Sequence, residues 1–102
     1  MVDLAELLAD VEGFEWHAGN TAKNVLGHGV SQAEAEEVFF VAPIVLLEDE
    51  KHSAVEPRYL IFGPTGGGRL LTAAFTLRQH QVRIVSVRDM SRQERRRYAQ
   101  AR

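Results

Sequence analysis

RYLIFGPTGGGRLLTAAFTLRQHQVRIVSVR, residues 58–88, contains three runs rich in β-branched and apolar residues. They are Arg58 to Gly63, Arg69 to Leu77 and Gln81 to Arg88, and each has strand composition. The breaks between them are short: Pro64 to Gly68, and a turn near His80. Links this short make neighbouring strands pair antiparallel, as a meander. Gly66-Gly67-Gly68 lacks the following Lys-Ser/Thr and the helix that a phosphate-binding loop needs, so it reads as a hairpin turn.

Side chains alternate between the two faces of a strand. With turns centred near Gly66 and His80, Arg58 lies beside Ala74, Thr76 beside Ile84 and Thr72 beside Arg88. One face then collects Arg58, Thr72, Thr76, Arg78, Ser86 and Arg88. The other collects Tyr59, Ile61, Leu71, Ala73, Phe75, Leu77, Val85 and Val87, with Arg83 at its end. The second set reads as a core face, and the first is too polar for one. The arithmetic depends on register, because a one-residue slip sends every side chain to the opposite face.

Outward from the meander, Ile44 to Leu47 is a fourth short apolar run. Ser31-Gln32-Ala33-Glu34 is a capping box, which starts a helix at Gln32 that runs to about Phe40 and ends at Ala42-Pro43. Ala18 to Leu26 reads as an earlier helix, with Gly27 and Gly29 as stop signals. Ser91-Arg92-Gln93-Glu94 is a second capping box, opening a C-terminal helix to about Gln100. Leu4, Leu7, Leu8 and Val11 have helical spacing, so residues 1–12 read as an N-terminal extension with a short helix. The expected fold is α+β: N-terminal helices, an antiparallel meander sheet of about four strands, and a C-terminal helix, all in a single domain over residues 1–102.

Composition sets outer limits. The chain has 102 residues, 45% hydrophobic and 25% charged, ordinary for a globular domain able to bury its own core. It has no cysteine, which excludes disulfides and thiolate metal sites. No apolar run approaches the roughly 20 residues of a membrane span, and Asp3 and Glu6 replace the basic start of a secretory signal. A cytoplasmic location is expected. His17, His28, His52 and His80 are scattered, without metal-ligand spacing. The net charge is −2, which opposes nucleic-acid binding at first sight. The charge is uneven, however. Acidic residues dominate up to Glu56, whereas from Arg58 onward arginines face only Asp89 and Glu94. Local field matters more than net charge for binding a phosphate backbone.

A longer pattern frames these elements. It runs through Phe14-Glu15-Trp16, Asn24, His28-Gly29-Val30-Ser31, Ala35, Val38-Phe39, Asp49, His52 and Glu56-x-Arg58. It continues with Gly63, Gly68-Arg69-Leu70-Leu71, Thr76-x-Arg78, Arg83-Ile84-Val85-Ser86-x-Arg88 and Glu94 to Tyr98. In order and spacing this resembles the BrnT family, the toxin half of a type II toxin–antitoxin pair with a RelE-like ribonuclease fold. The resemblance implies metal-free RNA cleavage without a cofactor, and growth arrest. It also implies a cognate antitoxin, BrnA-like and DNA-binding, and leaves room for a dimer within the complex. His17 stands where the family usually has an acidic residue, and Asn20 and Gly27 where lysine is common. The last two departures remove positive charge from the helical half.

RNA cleavage by 2′-hydroxyl attack needs a base, cations for the developing phosphorane charge, and an acid for the leaving oxygen. Arginine suits the cationic part because its planar fork grips phosphate oxygens in pairs. Arg58 and Arg78 are the expected phosphate clamp, and Glu56 and His52 the candidate base and acid. Arg88, Arg83, Thr76, Arg95 and Arg96 are candidate RNA contacts. The bland alternative for these arginines is a solvated or ion-paired sheet face. For Glu56 it is a salt bridge to Arg58 or Arg78, and for His52 an exposed loop position. A catalytically inactive toxin-like module that binds an antitoxin or RNA without cleavage is the competing functional reading.

Overall fold

A five-stranded mixed sheet organises the protein in the computed structural model, which describes residues 3–16, 29–52 and 56–102. The strands are β1 (Gly13–Phe14), β2 (Val45–Glu48), β3 (Arg58–Pro64), β4 (Leu70–Arg78) and β5 (Gln81–Asp89). The helices are α1 (Leu4–Leu7), α2 (Gln32–Glu37) and α3 (Arg92–Ala101). The sheet order is β1-β5-β4-β3-β2, with β1 parallel to β5 and every other pair antiparallel. The expected antiparallel sheet of about four strands is therefore corrected by one parallel edge strand. Two residues are too few for an alternation to be read. β1 is held by tertiary contacts instead: Phe14 meets Phe39 edge-on at 5.2 Å, and Glu12 and Glu15 donate backbone bonds to His80 and Val82 at 2.7 and 2.8 Å. The expected helix over 18–26, with His17, Asn20, Gly27 and His28, lies outside the described residues.

Two details of register differ from the expectation. The first hairpin pairs Pro64 with Leu70 and Arg58 with Thr76, which centres its turn on Gly67, one residue later than Gly66. Thr65 donates to the Arg69 carbonyl at 2.8 Å, and Gly68 takes a φ of +88° that favours glycine. Moving a turn centre by one residue moves each partner by two, so the faces survive while Arg58 faces Thr76 rather than Ala74. The second hairpin turns at Gln79-His80, both with positive φ (49° and 67°), the type I′ geometry of two-residue hairpins. Further along, Ala74 pairs with Ser86 and Phe75 with Ile84, leaving Val85 as a bulge. The extra residue flips everything before it. Val82 and Ile84 turn into the core, 1% and 0% exposed. Arg83 turns to the polar face opposite Thr76, where the sequence placed it at the end of the core face.

The core lies on one side of the sheet. Ile61, Leu71, Ala73, Phe75, Ile84 and Val87 point there and meet Val30, Ala35, Val38 and Phe39. Phe39 packs edge-on against Phe75 at 5.0 Å. Leu4, Leu7, Leu8 and Val11 cover the margin, so the N-terminal extension packs on the body. α2 starts as expected: the Ser31 hydroxyl accepts from Glu34 N at 3.1 Å and Glu34 accepts from Ser31 N at 3.0 Å. It ends at Glu37 rather than Phe40, where Phe39 N and Phe40 N bond three residues back, the tightened last turn of a helix.

α3 packs on the opposite face. Tyr98 and Met90 cover Val45 and Phe62, with Leu60 and Leu70 beside them. The Tyr98 hydroxyl donates to the Pro43 carbonyl at 2.6 Å. This outer face therefore has two halves, one apolar and covered by α3, the other polar. No helix among the described residues is long and apolar enough to cross a membrane.

Candidate functional site

β3, β4 and β5 bring Arg58, Thr76 and Arg83 into one row across the polar half of the outer face. Arg78 and Gln81 form the next pair along the same two strands. Adjacent strands lie about 4.8 Å apart, so the Arg58 and Arg83 backbones are about 10 Å apart with Thr76 between them. That gap lies within the reach of two arginine side chains. Thr76 is only 5% exposed, and its hydroxyl is buried without a hydrogen-bond partner.

Carboxylates hold two of these arginines. Glu56 accepts from Arg78 Nη2 at 2.8 Å and from its Nε at 3.3 Å. The Arg78 hydrogen bond, with the charges of Arg78 and Arg83, holds the Glu56 carboxyl below its ordinary range. Reciprocally, Glu56 and then Glu15 push the Arg78 guanidinium up. Arg58 Nε lies 3.7 Å from Asp49 Oδ2, and Asp49 N donates to the Arg58 carbonyl at 2.7 Å, which locks the end of β2 to the start of β3. Arg83 is the one cation on this face, among the described residues, with no carboxylate at ion-pair distance. Among the described residues no group of three His, Asp or Glu could hold a metal ion.

The structure does not gather every sequence candidate here. Arg88 pairs with Thr72, four residues along β4 from Thr76, or about 13 Å at strand rise. There its guanidinium grips Glu94 through two bonds of 2.6 and 2.9 Å. Glu94 Oε1 also accepts from the Thr72 hydroxyl at 3.2 Å and from Ser91 N at 2.9 Å. These donors, Arg88 first, hold the Glu94 carboxyl down at about 2. Arg88 thus fastens α3 to the sheet. Arg95 and Arg96 are exposed on α3. His52 ends a short 3-10 turn, Glu50–His52.

Three members of the neighbourhood escaped sequence reasoning: Gln81 beside Arg78, Asp49 beside Arg58, and Glu15 near Arg78. Arg83 had a readable signal. The apolar positions run on even numbers through Val82 and Ile84, then on odd numbers through Val85 and Val87. A break of phase within a strand marks a bulge. Arg69, also part of the pattern, is structural here. Its fork holds Asp89 at 2.7 and 3.0 Å and Glu34 at 3.3 Å, tying the start of α2 to the sheet.

Three arginines on neighbouring strands of one face can bind a tetrahedral anion and stabilise added charge on it. A carboxylate hydrogen-bonded to one of them fixes the angle of its fork. The family model described as the ribonuclease toxin BrnT of type II toxin–antitoxin systems matches residues 16–94. No curated protein matches the chain.

Proposed function

The chain belongs to the BrnT family of ribonuclease toxins from type II toxin–antitoxin systems, and from that premise we propose that it arrests growth by cleaving RNA without a metal. The observation that carries this reading is the row of Arg58, Thr76 and Arg83 with Arg78 beside it, on the polar half of the outer sheet face. The scissile phosphate binds between Arg58, Arg78 and Arg83. The 2′-hydroxyl loses its proton to a base and attacks phosphorus. The bond from phosphorus to the 5′ oxygen breaks, and that oxygen takes a proton from an acid. The arginines carry the charge that builds on the phosphoryl oxygens. Glu56 or His52 handles the protons. A carboxylate held below its ordinary range is a weak base, which favours Glu56 as the group that orients Arg78. Arg88, Arg95 and Arg96 extend the cationic surface along flanking backbone.

The partner is a cognate antitoxin of the BrnA-like, DNA-binding type, in the cytoplasm. One specific observation favours the competing reading of a binding module. Arg58, Arg78 and Arg88 already have carboxylate partners, the state expected of a cationic face that does no chemistry. Induced expression of wild type and of Arg58→Ala/Arg78→Ala separates the two, with cleavage of RNA by purified protein in chelator as the second readout. Arrest and chelator-resistant cleavage by wild type alone support the ribonuclease. A folded wild type that neither arrests growth nor cuts RNA leaves the binding module.

A further inference from the structure

Among the described residues β2 is an edge strand, paired in the sheet with β3 alone. An edge presents a row of unpaired N–H and C=O groups, and proteins usually shield it with charge, proline or a bulge. Here the sequence is Val45-Leu46-Leu47-Glu48, with Leu47 40% exposed on the outer face. The same strand borders a groove of about 380 Å³. Its floor is Val45, Leu47, Leu60 and Phe62, and its far wall is Glu94, Arg97, Tyr98 and Ala101 of α3, with Glu94 already paired to Arg88. Arg97 has no carboxylate at ion-pair distance among the described residues. An open strand edge and an apolar groove with that unpaired arginine on its wall meet at one place. That combination fits an extended peptide better than a globular surface. The backbone of such a segment continues the sheet, and alternate side chains drop into the groove.

We propose that an extended segment of the antitoxin adds to β2 as a sixth strand. It places an apolar side chain in the groove beside Leu47 and an acidic one against Arg97. This rests on the toxin–antitoxin reading above, and not on the catalytic one. The segment would also reach the candidate site. β2 leads into Asp49, which holds Arg58, so a strand running along β2 ends beside the arginine row. Inhibition then follows from the chain direction of the added strand rather than from a rearrangement of the toxin.

The probe is the product of the reading frame beside this one, co-expressed with the tagged chain. Amide exchange is compared between the free chain and the complex. Strand addition predicts slowed exchange at Val45 to Glu48 on binding, and not at the opposite sheet edge. Leu47→Lys, at an exposed position, keeps the fold and weakens the complex by about 30-fold or more. Phe40→Lys, on an exposed side chain away from the groove, leaves affinity unchanged. A complex in which Val45 to Glu48 exchange as in the free chain overturns the strand addition and leaves the pairing of toxin and antitoxin intact. Wild-type affinity of Leu47→Lys does the same. Slowed exchange that follows the concentration of the chain alone assigns the edge to a second copy and also overturns the proposal. No complex at all removes the toxin–antitoxin premise together with it.

Discussion

Glu94→Gln isolates a single charge that joins the C-terminal helix to the sheet. Glu94 holds Arg88 through both carboxylate oxygens, accepts from Thr72, and closes the capping box at Ser91. Glutamine preserves the size and the capping geometry but not the charge. A carboxyl held at about 2 instead of its ordinary 4.5 corresponds to about 3 kcal/mol of stability. The Arg88 side chain is 49% exposed, and solvent screening reduces the figure to about 2 kcal/mol. Because the folded-state value is depressed, this stability is present above the unfolded value near 4.5. It disappears as pH falls through about 2. Wild type is thus expected to lose about 2 kcal/mol more than Glu94→Gln between about pH 5 and pH 2. At pH 7 the variant should lie about 2 kcal/mol below wild type, or roughly 8–16 °C in melting temperature for a domain of this size. Urea unfolding at several pH values measures both. A variant that matches wild-type stability at pH 7, or follows the same acid limb, refutes the assignment of this contact as the anchor of α3.

Arg83→Ala is expected to lower RNA cleavage about 100-fold, to reduce the salt slope of RNA binding by about one, and to leave the melting temperature nearly unchanged, since no carboxylate among the described residues lies at ion-pair distance from it. Thr76→Val removes a buried hydroxyl that has no partner, so thermal unfolding should show neutral or slightly higher stability, by up to about 1 kcal/mol. A clear loss would mean that the hydroxyl is bonded. Tyr98→Phe deletes the 2.6 Å bond to Pro43 and should cost about 1 kcal/mol, read as a lower urea midpoint at constant slope.

The meander and both capping boxes are legible because each rests on a local rule. Period-two runs with short breaks specify β3, β4 and β5, and Ser-x-x-Glu specifies where α2 and α3 begin. β1 is illegible because its two residues owe their conformation to Phe39 and to the turn at His80, both remote in sequence. The candidate site was half legible. Arg58, Arg78 and Thr76 follow from alternation, and Glu56 from its place just before the strand that begins at Arg58. Arg83 needed the bulge at Val85, whose trace is the phase break at Ile84-Val85. The covering of the outer face by α3 had a trace too. Leu60 and Phe62 occupy outward positions of β3, and such residues require a cover.

The acidic balance of the chain follows from how its arginines are held. Glu56 and Glu94 each hold one arginine of the outer face through hydrogen bonds, Asp49 lies 3.7 Å from Arg58, and Glu34 and Asp89 share Arg69. Paired in this way, a guanidinium keeps a fixed direction while contributing little long-range field. The field at the site then comes mainly from Arg83, with Arg95, Arg96 and Arg97 on α3. A phosphate arriving at the face meets Arg83 first and competes with Glu56 for Arg78 and with Asp49 for Arg58. On the proposed ribonuclease reading, affinity for RNA is therefore modest in the ground state. It rises as negative charge develops on the phosphoryl oxygens and outbids the carboxylates, which is the differential binding that catalysis requires. Neutralising Glu56 as Glu56→Gln separates the possibilities. It should tighten RNA binding, because Arg78 is released, while cleavage falls, because the fork loses its direction. Tighter binding with unchanged cleavage would show that Glu56 only masks Arg78, and would remove it from the catalytic group.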